Sequence, residues 1–453
     1  MISGRMAELK YLNGFYERSG SHMLVVYGQK HVGKTAVLKE FTKNRSFFYD
    51  LARACSEKGH LTRLGRELAG LPEEEAVTFS DILERLPRQT EKKKRILILD
   101  EFQNIVKVSP DFIREVIFFV QTRQPSEEVL VILSSSSVGW VENSMISNIG
   151  KAAHALSGLY KIKESGFFDM REIFPDFTPG ACVEAYAVLG GLPGLWRYFD
   201  SHLTIKENIC KNILDPGSFL HAEAERCVSE ELRETSVYNT ILAALASGRR
   251  KLNELYLHTG FSRAKISVYL KNLIELELVE KVFSFDSEGR DNTCKGIYRI
   301  RNHFVNFYFT FLYASGGKLF SMQPSRLYDI YIAPELKKYT EEYYKKICMQ
   351  YVDWMNRTGR LPFHFSRMGE WIGKTGSIDM IAQDEKGQTL IGQCRWEASF
   401  FRYEEYNRLM ACAAKAKVKP DYVFLFSFQA FEDRLIREAE LSEKLWLFGP
   451  DKI

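Results

Sequence analysis

Gly28-Gln29-Lys30-His31-Val32-Gly33-Lys34-Thr35 has the spacing G-x-x-x-x-G-K-[ST] without a departure. The apolar run Met23-Leu-Val-Val-Tyr27 precedes it, and Val37, Leu38 and Phe41 share one helical face after it. Strand, loop and helix therefore follow in that order. Gly28 and Gly33 let the backbone wrap an anion, so that loop N–H groups and the helix N-terminus converge on phosphate oxygens. Lys34 adds a point charge at the β/γ-phosphates, and the Thr35 hydroxyl can ligate Mg²⁺. The spacing predicts a nucleotide site over Gly28 to Ala36.

The other half of such a site is sought at the end of a second buried strand. In Arg95-Ile-Leu-Ile-Leu-Asp-Glu-Phe-Gln103, four consecutive aliphatic residues indicate a strand covered on both faces, as in a parallel sheet. Asp100 and Glu101 stand at its C-terminal end, where α/β sheets place their ligands. Asp100 is the expected Mg²⁺ ligand and Glu101 the residue that polarises the attacking water. Lys92 to Arg95 read as a solvated loop ahead of this strand. Val129 to Leu133 is a further apolar strand tipped by Ser134 to Ser137, where a hydroxyl reads equally as a γ-phosphate sensor or a turn former. Between the two strands, Ser109-Pro110 predicts a capped helix through Phe112, Val116 and Phe119.

These features resemble the archaeal-type ATPases, a branch of the AAA/STAND-like P-loop ATPases. The resemblance rests on Ile2-Ser-Gly-Arg-Met-Ala-Glu8, the phosphate loop, Asp100-Glu-Phe-Gln103, the serine-tipped strand and Tyr186-Ala-Val-Leu-Gly-Gly-Leu-Pro-Gly194. It implies ATP as the nucleotide, Pro193 as a contact to adenine, and Gly190 and Gly191 as the turn that permits it. The family often carries arginines inside the loop, where this chain has Gln29, Lys30 and His31; these variable positions leave phosphate binding intact.

Residues 236–300 read as three helices and a hairpin, a winged helix with a helix-turn-helix at its centre. Ser262 caps the third helix, in which Ile266, Leu270 and Leu273 recur on one face. Arg263, Lys265, Lys271 and Asn272 are the candidate DNA contacts. Seven Lys/Arg stand against four Glu across 236–282, a modest surplus for DNA binding. A nucleotide-sensing lid is the alternative role that the family resemblance suggests.

The last third, after an aromatic helix at His303–Tyr313, resembles the C-terminal domain attached to these ATPases, itself similar to the PD-(D/E)XK nucleases. The resemblance implies a metal site of an Asp and a Glu-x-Lys. Asp379 matches the Asp, but Gln393 stands for the Glu and Arg395 for the Lys, and Lys345 replaces an acid of the first helix. An amide is a poor Mg²⁺ ligand, and arginine cannot serve as a base. The domain is expected to be inactive, with Glu397, on the same strand face by period-2 alternation, as the one replacement carboxylate.

The expected architecture is an α/β chain: a P-loop core with a parallel sheet (1–165), a helical lid (166–230), the winged helix (231–300), a helical linker (301–328) and a restriction-endonuclease-like domain (329–453). A chain of 453 residues is too long for one core. With 45% hydrophobic and 26% charged residues it reads as an ordinary soluble protein. No apolar run is long enough to span a membrane, and no signal-peptide pattern opens the chain. Eight scattered cysteines without metal-ligand spacing point to a reducing cytoplasm. The function expected is that of a Mg²⁺-dependent, switch-like ATPase; an ATP-regulated DNA-binding protein and an ATP-dependent nuclease are the alternatives. Double-stranded DNA, a protein partner or a second copy are the candidate partners, and no arginine finger is assignable.

Overall fold

The structure, a computed structural model, describes residues 4–72, 78–86, 94–230, 232–287, 296–374, 376–396 and 400–452. The chain forms two compact units. The first runs to Ser165 and takes in Leu192–Gly194 and Glu275–Glu277; the second holds Gly166–Gly191, Leu195–Ile274 and Leu278 onward.

The first unit begins with α1 (Met6–Glu17), β1 (His22–Tyr27), α2 (Lys34–Thr42) and β2 (Phe47–Leu51). It continues with β3 (Arg95–Asp100), α3 (Phe112–Gln121), β4 (Val129–Ser135) and β5 (Gly158–Lys161). The five strands make one sheet in the order β2-β3-β4-β1-β5, every pair parallel. Strand β4 therefore lies between the strand that leads into the phosphate loop and the strand that ends in Asp100. Met23, Val25, Leu97, Leu99, Val131 and Leu133 point to one face, where they join Phe112, Val116 and Phe119 of α3 in a single buried cluster. Every residue of β3 and β4 is buried, as their uninterrupted aliphatic runs require.

Two local expectations fail here. Helix α3 starts at Phe112, after a turn in which the Phe112 N–H reaches the Ser109 carbonyl, and Asp111 precedes it without a side-chain cap. Lys94 and Arg95 are not solvated but buried. The Lys94 ammonium donates to carbonyls of Phe15 (3.1 Å) and Arg18 at the end of α1, and Arg95 donates to the Leu86 carbonyl. Unsatisfied carbonyls at a helix C-terminus attract a cation, which outweighs the preference of lysine for water. Lys92 and Lys93 lie outside the described residues.

The second unit contains α4 (Pro179–Leu189), α5 (Thr235–Ala246), α6 (Leu252–Thr259) and most of α7 (Arg263–Glu275), whose last residue belongs to the first unit. The antiparallel pair β6 (Val279–Val282) and β7 (Ile297–Ile300) completes the winged helix. Gly260, in the left-handed conformation, ends α6, and Ser262 accepts the Lys265 N–H at the start of α7. Further on come α8 (Ala333–Arg357), β8 (Arg367–Ile372), β9 (Ser377–Gln383), β10 (Thr389–Arg395), α9 (Tyr403–Lys415), β11 (Tyr422–Ser427), α10 (Asp433–Leu441) and β12 (Leu445–Phe448). These strands form a mixed sheet, β12-β11-β10-β9-β8, antiparallel from β8 to β10 and parallel beyond. Among the described residues no helix is long and apolar enough to cross a membrane.

Candidate functional site

The phosphate loop leaves β1 at Tyr27 and enters α2 at Lys34. Gly33, at φ 102°, occupies a conformation that a side chain would strain. Gly28 is fixed by space instead, since a Cβ there would lie 2.4 Å from the Ile162 carbonyl oxygen. Lys34 is buried, and its ammonium donates to the carbonyls of Gly28 (2.9 Å) and Gln29 (3.1 Å), so the charge is held over the loop. Val32 is buried while Ala36 is exposed in the first turn of α2; Lys30 and His31 are half-exposed.

Arg5 braces this loop from outside. Its buried guanidinium donates to the carbonyls of Val32 (2.7 Å) and Lys163 (2.8 Å) and pairs with Glu8 at 2.8 Å. Gly194 closes on the loop from the other side. Its N–H donates to the His31 carbonyl at 2.8 Å, and a Cβ at this position would meet His31 atoms at 2.9 Å. Pro193 is thereby held next to the loop through its neighbour.

The acidic end of β3 meets the loop directly. The Thr35 hydroxyl donates to Asp100 Oδ2 at 3.1 Å, and the Tyr49 hydroxyl reaches the same oxygen at 3.0 Å. Burial and the neighbouring Asp100 carboxylate push the Tyr49 phenol well above its ordinary range, so it stays a donor. Hydroxyl and carboxylate oxygens within contact form the hard donor set that Mg²⁺ requires. Glu101 takes the left-handed conformation at φ 54°. Its Oε2 accepts from the Ser136 N–H (3.1 Å), the Ser136 hydroxyl (2.6 Å) and the Gln103 amide. Among the serines at the tip of β4, Ser136 is thus the one that grips the expected catalytic acid.

A third set of contacts involves Gln29, which is buried. Its amide donates to Glu164 (3.2 Å) and to the Glu277 carboxylate (3.0 Å), and Lys161 pairs with the same Glu277 at 2.9 Å. Glu277, at φ 57°, lies two residues beyond the end of α7.

On α7 itself, Arg263, Lys265 and Lys271 are exposed. The Arg263 guanidinium lies 4.2 Å over the Tyr256 ring and donates to Asn253, and Lys265 lies 5.1 Å from the Phe261 ring. Asn272 corrects the sequence expectation: it is half-buried and its amide donates to the Tyr238 hydroxyl at 2.7 Å. An amide committed to the helix bundle does not belong to the exposed face.

In the C-terminal domain, Asp379 on β9 is buried and fully engaged. It pairs with Lys345 at 2.9 Å and accepts from the Gln393 amide and the Cys394 N–H. Arg395 pairs with Glu405 and lies 3.8 Å from Glu341. Glu341, one turn ahead of Lys345 on α8, also accepts the Trp396 N–H at 2.9 Å. It is an acid of the first helix that the sequence reading passed over. An ammonium and an amide thus sit on Asp379 where the nuclease pattern would place a cation, and Glu397 lies outside the described residues.

Residues 3–198 match the family described as an ATPase domain predominantly from Archaea. The N-terminal domain is an archaeal-type ATPase domain. Residues 239–281 match bacterial regulatory proteins of the arsR family, and residues 308–408 match archaeal and bacterial proteins of unknown function. Over 407 residues, 88% of each chain, the protein is 26% identical to an uncharacterized protein of Methanocaldococcus jannaschii. Among solved structures it is similar to a Walker-type ATPase of Pyrococcus abyssi, with 18% identity and a TM-score of 0.50 over 68% of this chain and 96% of that one. The ORC2 protein of Aeropyrum pernix, solved as ADPNP-ADP complexes, matches at 16% identity with a TM-score of 0.46, covering 68% and 94%. At such identities the likeness is one of fold.

Arg5 stood inside a quoted stretch of sequence, yet nothing local marked it as a brace for the loop. Gln103 closed a quoted motif without a role assigned to it, whereas Tyr49 and Glu277 carry no sequence signal, because only the fold brings them to the site.

Proposed function

We propose that the ATPase domain hydrolyses ATP with Mg²⁺ and that its nucleotide state governs DNA binding by the winged helix. The observation that carries the reading is the meeting of Thr35, Asp100, Glu101 and Ser136 at one end of a parallel sheet. Loop N–H groups and Lys34 bind the phosphates, and Thr35 with Asp100 hold the metal ion. When bound, Mg²⁺ neutralises charge on the β/γ-phosphate oxygens. Ser136 and Gln103 occupy Oε2 of Glu101, so Oε1 is the oxygen that accepts a proton from water. Pro193 packs on the base. Lys34→Ala is expected to lose ATP binding, whereas Glu101→Gln keeps binding and loses about 10²–10⁴-fold in turnover. Unchanged turnover in both variants would end this reading.

The DNA arm rests on the exposed Arg263, Lys265 and Lys271 of α7 and on the match of this segment to arsR-family regulators. Phosphate contacts make such binding fall steeply with salt. Arg263→Ala/Lys265→Ala should weaken DNA binding and flatten its salt dependence; salt-insensitive binding would argue against it. The C-terminal domain, with Asp379 neutralised from within, is assigned a structural rather than a nucleolytic role.

A further inference from the structure

A cavity of about 640 Å³ opens within the second unit, and neither a phosphate-loop residue nor Asp379 lines it. Its walls include Phe177, Tyr328, Trp396 and Phe428, with the half-buried Glu184 and the exposed Lys337 among its charged groups. The volume suits a nucleoside-sized ligand.

Glu184 is the informative residue. It lies on α4, on a largely apolar helix, and among the described residues its carboxylate has no hydrogen bond and no ion pair. Burial pushes its pKa up, and the Lys337 charge only partly offsets this. Lining the cavity, the carboxylate is open to a hydrogen-bond donor carried by a ligand. The other charges near the opening are already matched: Lys206 pairs with Asp329 at 2.8 Å, and Asp176 accepts the Ser201 hydroxyl at 3.1 Å.

The cavity therefore offers aromatic surface, a carboxylate able to accept two hydrogen bonds, and a cation. A basic side chain would satisfy Glu184 but meet the like charge of Lys337. A free carboxylate would do the reverse. A neutral planar ring with two adjacent N–H donors and a neighbouring acceptor satisfies both. Among nucleobases, guanine has that edge: N1–H and N2–H beside O6. Aromatic walls suit such a ring, as in pockets that hold a single extruded base.

We propose that this cavity is a guanine-specific site, with Glu184 accepting from N1–H and N2–H and Lys337 donating to O6. It takes the base of a free nucleotide or of a single-stranded nucleic acid, and it is independent of the phosphate loop.

The test is titration calorimetry of the full chain with GMP, AMP and N-acetyl-arginine amide. GMP should bind saturably and at least tenfold more tightly than AMP. Glu184→Gln should weaken GMP at least tenfold while its melting temperature stays near that of the parent, and Lys337→Ala should weaken it severalfold. Lys34→Ala should leave GMP binding unchanged, which separates this site from the ATP site. Equal affinities for GMP and AMP, tighter binding of the arginine amide, or insensitivity to Glu184→Gln would each overturn the proposal. A guanine-containing single-stranded oligonucleotide that binds more tightly than GMP would identify nucleic acid as the source of the base; equal affinity would identify the free nucleotide.

Discussion

Glu101 is held in a backbone conformation that a residue with a side chain seldom adopts, and Ser136 is the partner that holds it. Strain of this kind, of order 1–3 kcal/mol, persists where surrounding contacts over-determine it, and it clusters at sites of chemistry. Ser136→Ala removes one of the three hydrogen bonds to Oε2 but leaves the Ser136 N–H. Steady-state ATP turnover should therefore fall by about tenfold in kcat with KM nearly unchanged. A change confined to KM would place Ser136 at the substrate instead. At Gly194 the constraint is spatial: Gly194→Val would push against His31 and should raise the Kd for ATP about tenfold or more, measured with a fluorescent analogue. At this scale the sequence was legible where chemistry is local. Gly28, Lys34, Thr35, Asp100 and Glu101 could be named because each motif is contiguous. Which of four serines mattered could not be read, because register and strand order decide it, and β4 reaches Glu101 only through its place between β1 and β3.

At the scale of elements, the C-terminal end of α4 shows how a pH dependence arises from packing. His303 is buried; its Nδ1–H donates to the Tyr186 carbonyl at 2.9 Å and its ring centroid lies 4.1 Å from that of Tyr343. Desolvation lowers its pKa to about 3, from an ordinary value near 6.5. The unfolded chain therefore binds a proton that the folded chain refuses. The contribution is complete above pH ~6.5 and is lost as pH falls toward 3, at about 1.4 kcal/mol per unit. Between pH 7 and pH 5 the second unit should lose ~2 kcal/mol from this group. In His303→Gln that share of the loss should vanish, as read from urea midpoints at the two pH values. An unaltered pH dependence would show that His303 titrates normally. The helices and buried strands were legible because their periodicities are long. Strands β8 and β12 were not, because β8 is half-exposed and carries Gly369 and Glu370, while β12 is only four residues long. The start of α3 was misread because a serine-proline pair marks a turn as readily as a cap.

At the scale of the whole molecule, the chain itself runs from the basic helix to the nucleotide site. Helix α7 carries the exposed basic residues, and the three residues at its end, Glu275 to Glu277, fold as part of the nucleotide unit. There Glu277 accepts from Gln29, the second residue of the phosphate loop, and pairs with Lys161 at the end of β5. Any rearrangement of the loop around phosphate alters the contacts of Gln29, and a two-site coupling of this kind is typically worth about 1–3 kcal/mol. In the parent protein, DNA affinity should therefore differ between a non-hydrolysable ATP analogue and ADP by roughly 5–150-fold. Glu277→Ala removes the carboxylate acceptor, leaving the backbone carbonyl, without touching Lys34, Thr35 or Asp100. ATP should still bind within about threefold of the parent, while the nucleotide effect on DNA affinity should shrink to about twofold or less. Fluorescence anisotropy with a labelled duplex at fixed salt reads both quantities. A nucleotide effect of undiminished size in Glu277→Ala would show that the coupling takes another route. Loss of ATP binding itself would make Glu277 a brace of the loop, comparable to Arg5, rather than a link.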